Sequence, residues 1–278
     1  VIDSITKGIE SKEIIIKTLY EYLQKHTTYV NVSIDLGGYQ SYPASYVCEN
    51  KYGDCKALST YMKAMLIYKG IPSNYVVIWA GTNNVRTPSE LIPKFNHVIL
   101  GVPLNGDTLW LENTSSVTPY NDVGTFTQNR PALWVDSNKT QIVHLPKAAI
   151  EDVLEKSEYN FNINTKGEGS LNMHYTLHGN AFERLATISK AYEKRALGNK
   201  LLPKTNRLKV EIDDWEIKER PSNQTYLEVT ANGHVANLIT NVGNGLFLGP
   251  PVCGTPNFEE PKSRKSGVRI TTPVHSVL

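Results

Sequence analysis

The sequence predicts an α+β fold in two domains, and three observations carry that reading. Apolar residues at helical spacing come first, alternating apolar runs follow, and the pattern changes near Pro146 to strands around one further helix. Helices ahead of strands imply helices packed on one face of an antiparallel sheet, since a parallel sheet needs the two to alternate. The boundary falls near 147. Residues 1–147 form a domain of helices on an antiparallel sheet, and 148–278 form a β-rich domain with one helix. A length of 278 residues agrees, because a domain usually takes about 150.

The elements follow in order. Ser11 to Lys25 reads as a helix with Ile15, Leu19, Tyr22 and Leu23 on one face. A loop rich in Gly, Pro and Tyr runs from Gly37 to Pro43. A second helix starts near Cys55, with Leu58, Met62, Met65 and Leu66 as its apolar stripe and Gly70 as its stop. Tyr75–Ala80, His97–Leu104 and Thr108–Thr114 read as strands. In the second domain, Tyr159–Ile163 and Leu171–Leu177 flank a Lys166-Gly167-Glu168-Gly169 turn and read as a hairpin. Phe182, Leu185, Ile188 and Tyr192 mark a helix over Ala181–Leu197. Strands are expected at Leu208–Ile212, Thr225–Val229 and Val268–Val274. The chain begins at Val1 without Met or a signal core and ends on a strand-like run. The start is that expected of a processed product or an excised piece of a longer protein, and the end leaves open whether the second domain is complete.

Composition narrows the function classes. With 40% apolar and 20% charged residues the chain can build a core, so wholesale disorder is excluded. No apolar run approaches the roughly 20 residues of a membrane-spanning helix. Twenty-nine basic against 27 acidic residues leave a net charge of +2, which argues against a nucleic-acid partner. Three cysteines, Cys48, Cys55 and Cys253, are neither a disulfide framework nor a CxxC pair.

The stretch richest in chemistry is Lys51-Tyr52-Gly53-Asp54-Cys55-Lys56. Gly53 permits a sharp entry, Asp54 can cap the helix, and Cys55 falls in its first turn. Unpaired N–H groups and the positive end of the helix dipole favour a thiolate there. Cys55 shares a helix face with Leu58 and Met62, so its sulfur should point at the sheet. A buried structural cysteine is the plainer alternative for such a position.

A thiolate nucleophile needs a base, and His97 at the start of a strand is the candidate. Asn105-Gly106 is a strong two-residue type I′ turn signal that pairs Leu104 with Asp107. Stepping away from the turn sets Ile99 opposite Glu112 and His97 opposite Thr114, all on one face. Glu112 is then a diagonal neighbour of His97, roughly 7–8 Å away along the backbone and within side-chain reach. Glu112 is thereby selected to orient the imidazole, whereas a bulge at Gly101 or Pro103 would present Asn113 instead.

Gly53-Asp54-Cys55-Lys56, then Asn96-His97-Val98, then Trp110-Leu111-Glu112-Asn113-Thr114 resemble the three core motifs of the bacterial transglutaminase-like superfamily. The resemblance runs across about Ser11 to Pro146, and Phe126-Thr127-Gln128-Asn129-Arg130 fits its large, multi-domain, exported members. It implies a papain-like core with Cys55 as nucleophile, His97 as general base and acid, and Glu112 as orienter. Most members carry Asp where this chain has Glu112. The implied chemistry is cofactor-free acyl transfer through a thioester on peptide or protein amides, hydrolytic in preference to cross-linking. The backbone N–H of Cys55 and the amide of Gln40 are the candidate oxyanion donors. The resemblance also implies a periplasmic or cell-surface location. The rival reading keeps the fold as a catalytically silent binding or scaffolding module.

Other signals are weaker. His174 and His178 alternate onto one strand face, but without a third ligand they read as an exposed polar face and not a metal site. Lys262, Arg264, Lys265 and Arg269 stand beside Glu259 and Glu260 and read as a solvated loop. The tyrosines between Tyr39 and Tyr52 could line a peptide or glycan groove or simply pack a loop. Cys48 and Cys253 read as structural.

Overall fold

The computed structural model describes residues 1–31, 38, 40–81, 95–136, 139–149, 151–191, 209–218, 225–242, 245–248 and 275–277. The chain forms two compact units, Val1–Ala148 and Ala149–Leu278. The expected strand at 268–274, the basic cluster at 262–269, Cys253, Tyr192 and Tyr39 lie outside the described residues.

In the first unit a short helix α1 (Ile2–Ile5) precedes α2 (Lys12–His26), which Ser11 caps through its hydroxyl on the Ile14 N–H. The buried face of α2 is Ile16, Leu19, Tyr20 and Leu23, while Ile15 and Tyr22 only flank the core. The predicted face is thus rotated, because α2 offers apolar residues on both sides of Leu19 and the facing elements decide which are covered. A helix absent from the sequence reading, α3 (Ala44–Asn50), leads to α4 (Cys55–Tyr68). Leu58, Met62, Met65 and Leu66 are buried along α4, and Gly70 follows its end at φ +66°. Two short parallel strands, β1 (Thr28–Tyr29) and β2 (Tyr52–Gly53), tie the end of α2 to the entry of α4, with Tyr29 paired to Gly53.

The helices pack on a five-stranded antiparallel sheet of order β5-β4-β3-β6-β7. Its strands are β3 (Asn74–Ile78), β4 (His97–Leu104), β5 (Asp107–Leu111), β6 (Pro131–Val135) and β7 (Gln141–His144). Leu100, Val102, Leu109 and Leu111 meet the helices, and Val76, Ile78, Ile99, Ala132 and Trp134 form a second core on the opposite face. Gly101 lets β4 lie against Trp134, since a Cβ there would sit 2.2 Å from the indole ring. The β4–β5 register is the one the Asn105-Gly106 turn predicts, Leu104 with Asp107 through Leu100 with Leu111, and no bulge interrupts it. Asn105 and Gly106 both take the positive φ of a type I′ turn. Only the length of β5 differs: it ends at Leu111, and Glu112, Asn113 and Thr114 lead into a loop.

In the second unit β8 (Leu154–Ile163) and β9 (Gly169–His178) form the expected hairpin. They belong to a sheet of order β10-β11-β9-β8-β14, with β10 (Lys209–Ile217), β11 (Tyr226–Ala236) and β14 (His275–Val277). Strands β12 (Ile239–Val242) and β13 (Gly245–Leu248) pair separately. Helix α6 (Gly179–Ala191) contacts β9 and β11. His174 and His178 are half-buried rather than fully exposed. His174 stands 4.0 Å from Glu158, and the His178 ring lies 5.1 Å from that of Tyr226. Among the described residues no helix is long and apolar enough to cross a membrane.

Candidate active site

Asp54 is the N-cap of α4, its carboxylate accepting from the Ala57 N–H at 2.9 Å, and Cys55 is the first helical residue. The second carboxylate oxygen of Asp54 pairs with Lys56, and both side chains are buried. Gly53 serves close approach rather than a turn: a Cβ there would lie 2.8 Å from that of Ala57. Cys55 is half-buried at this junction.

His97 is the first residue of β4 and is 3% exposed. Its Nε2 lies 3.0 Å from Oε1 and 2.9 Å from Oε2 of Glu112, itself buried. The side chain of Cys55 lies within reach of the imidazole on the other side. Burial alone would lower the pKa of His97. The charge of Glu112 and the hydrogen bonds to Cys55 and Glu112 outweigh it and push the pKa up to about 10.

The carboxylate is held in turn. Glu112 Oε1 accepts from the Thr114 hydroxyl at 2.6 Å. Helix α2 anchors the loop behind it, with the Tyr20 hydroxyl 3.1 and 3.0 Å from the carbonyls of Glu112 and Thr118. Gln24 Nε2 donates to the carbonyls of Ser115 and Thr118. The imidazole is backed by Phe126 of a short helix α5 (Gly124–Thr127), the rings meeting edge to face at 5.4 Å.

Asn96 and the buried Arg130 fix the chain around this contact. Asn96 pairs its amide with both backbone groups of Ala80, which sets the entry to β4. Arg130, 1% exposed, donates from Nη1 to the carbonyls of Trp79 and Gly81, while the Gly81 N–H donates to the carbonyl of Phe126.

Residues 1–112 match the family model of the transglutaminase-like superfamily. The matched segment takes in both cores' first elements and ends on Glu112, so Cys55, His97 and Glu112 all lie within it. A solved structure described as that of a candidate protease from Parabacteroides distasonis matches 84% of this chain at 11% identity and a TM-score of 0.40. This chain covers 48% of that one, about half its length. No curated protein matches the chain significantly.

Within the matched segment Cys55, His97 and Glu112 come together, and Gln40 is exposed. Cys48, read as structural, is exposed on α3 beside Tyr61. Sequence reading passed over Tyr20 and the role of Phe126, whose partners come from distant segments, and it set Thr114 opposite His97 without its hydrogen bond to Glu112 two residues back. Tyr29 was also missed. Burial, then the charges of Cys55, Asp54 and Glu112, raise its phenol to about 12, which marks it as a neighbour of the site.

Proposed function

We propose that the first unit is a thiol-dependent acyltransferase acting on peptide or protein amides, with water as the usual acceptor. The supporting observation is that one buried imidazole contacts Cys55 and Glu112 at once. A cationic His97 donates its Nε2 proton to Glu112 and its Nδ1 proton to the Cys55 sulfur. The thiolate attacks the amide carbonyl, and the backbone N–H of Cys55 donates to the oxyanion that forms. His97 then passes its Nδ1 proton to the departing amine, leaving an acyl thioester and a neutral imidazole. Neutral His97 takes a proton from water as the water attacks the thioester, and returns it to sulfur as the acid leaves. Glu112 holds the ring in the orientation both transfers need, and Phe126 covers its edge. An exported site of action belongs to the same reading. Gln40 as a second oxyanion donor would require its exposed side chain to turn inward over Cys55.

The test uses p-nitrophenyl acetate as an acyl donor and iodoacetamide as an alkylating probe, read by peptide mass spectrometry. Cys55 should acquire the acetyl group and should alkylate faster than Cys48. His97→Ala should slow acylation about 10²–10⁴-fold, the usual range for a lost acid–base group. Equal labelling of Cys48 and Cys55, unaffected by His97→Ala, would instead favour a silent binding module.

A further inference from the structure

A cavity of about 260 Å³ lies between the end of α2, β1, the first turns of α4 and the loop after Glu112. It is smaller than the roughly 300–1,000 Å³ of sites that enclose a whole small molecule, so it suits one side chain. Its position ties it to the site. Leu58 in its wall is one turn beyond Cys55, Tyr29 pairs with Gly53, and Thr114 hydrogen-bonds Glu112.

Apart from Leu58, the lining is polar and uncharged. Gln24, Thr28, Tyr29, Asn113 and Thr114 supply amides and hydroxyls, and no Asp, Glu, Lys, Arg or His lines the cavity. Asn113 stands out. It is 2% exposed, its Nδ2 donates to Ser59 Oγ at 3.0 Å, and its Oδ1 is buried with no hydrogen-bond partner among the described residues. A buried acceptor left unpaired costs free energy, and the soft terminal torsion of Asn lets the amide turn toward an arriving donor. A carboxylate or ammonium entering here would lose its hydration and meet no opposite charge in the lining.

We infer that this cavity is a specificity subsite for a small uncharged side chain bearing an N–H or O–H donor, carried next to the amide that Cys55 attacks, with Asn113 as the acceptor that selects it. The inference rests on the acyl-transfer reading for its place beside the scissile bond, but binding can be measured without chemistry.

The experiment uses the full chain as Cys55→Ala and follows Asn113 and Thr114 by NMR during titration with N-acetyl-X-methylamides, where X is Ser, Asn, Ala, Asp or Lys. The Ser and Asn compounds should shift both residues and bind about two- to tenfold tighter than Ala, the span of one hydrogen bond, with Asp and Lys weakest. Asn113→Leu should erase the preference for Ser and Asn over Ala. Thr28→Trp, which plugs the cavity at an exposed residue and leaves Asn113 alone, should weaken Ser and Asn equally. That second variant keeps the test decisive if Asn113→Leu misfolds. Equal binding by all five compounds, shifts elsewhere on the protein, or no shifts up to the solubility limit would each overturn the inference. Failure of the acyl-transfer reading looks different: Cys55 would not acylate although the Ser compound still binds the cavity.

Discussion

His97 Nε2 lies almost equidistant from the two carboxylate oxygens of Glu112, at 3.0 and 2.9 Å, so one N–H is shared by both. The longer side chain of Glu, compared with the Asp common in the resembling motifs, reaches the ring from a residue just past the end of β5. Glu112→Gln keeps the size and removes the charge that chiefly opposes desolvation. The pKa of His97 should then fall well below about 10, read from the titration of its ring protons by NMR, and acylation of Cys55 should slow. An unchanged titration would mean that the pair does not set the charge of His97.

The same interaction makes stability depend on pH. The folded pKa of His97, about 10, lies above the ordinary 6.5, so the folded state binds this proton more tightly than the unfolded one. Its contribution is fully present below about pH 6.5 and is lost progressively as pH rises from there through about 10. Urea midpoints of wild type should fall across this window more steeply than those of His97→Gln. Parallel pH profiles for the two proteins would contradict the shift.

Asp54 performs two tasks at the start of α4, capping Ala57 and neutralising the buried Lys56. Asp54→Ala should cost about 1 kcal/mol for the cap, and stranding the buried ammonium adds to it, about 3–5 kcal/mol for breaking a buried pair. Asp54→Ala with Lys56→Met should recover most of the second part, since an apolar residue of similar volume needs no counter-charge. Chemical denaturation of the two variants checks both figures.

Gly53→Ala would place a Cβ 2.8 Å from that of Ala57 at the joint between β2 and α4. The helix start must move to relieve it, costing about 1–3 kcal/mol as overpacking does. Because Cys55 rides on that first turn, its alkylation rate should fall further than that of Cys48. Comparing the two rates in this variant with its melting temperature separates a displaced thiol from a general loss of fold.

Much of the site was legible because its parts are local. The Asp54 cap and the first-turn position of Cys55 depend on adjacent residues. The Asn105-Gly106 turn leaves one register open to β4 and β5, and that register brings Glu112 within reach of His97. The end of β5 was not legible, because the loop that replaces it is held by Tyr20 and Gln24, about ninety residues earlier. Strands β6 and β7 were missed for a similar reason, as their apolar face is defined by packing against β3 and by Trp134 lying over Gly101.

The amino-acid order by itself determined the α+β class, the helix that presents Cys55 and the hairpin that pairs His97 with Glu112. Short-range turn, cap and alternation rules act on neighbouring residues, and the sequence states those neighbours outright. Tertiary structure decided which face of α2 is buried, that Phe126 covers the imidazole, and that Asn113 lines a cavity beside Glu112. Those outcomes depend on side-chain volumes and hydrogen bonds meeting across roughly thirty to a hundred residues, where many arrangements compete and only the packed whole selects one.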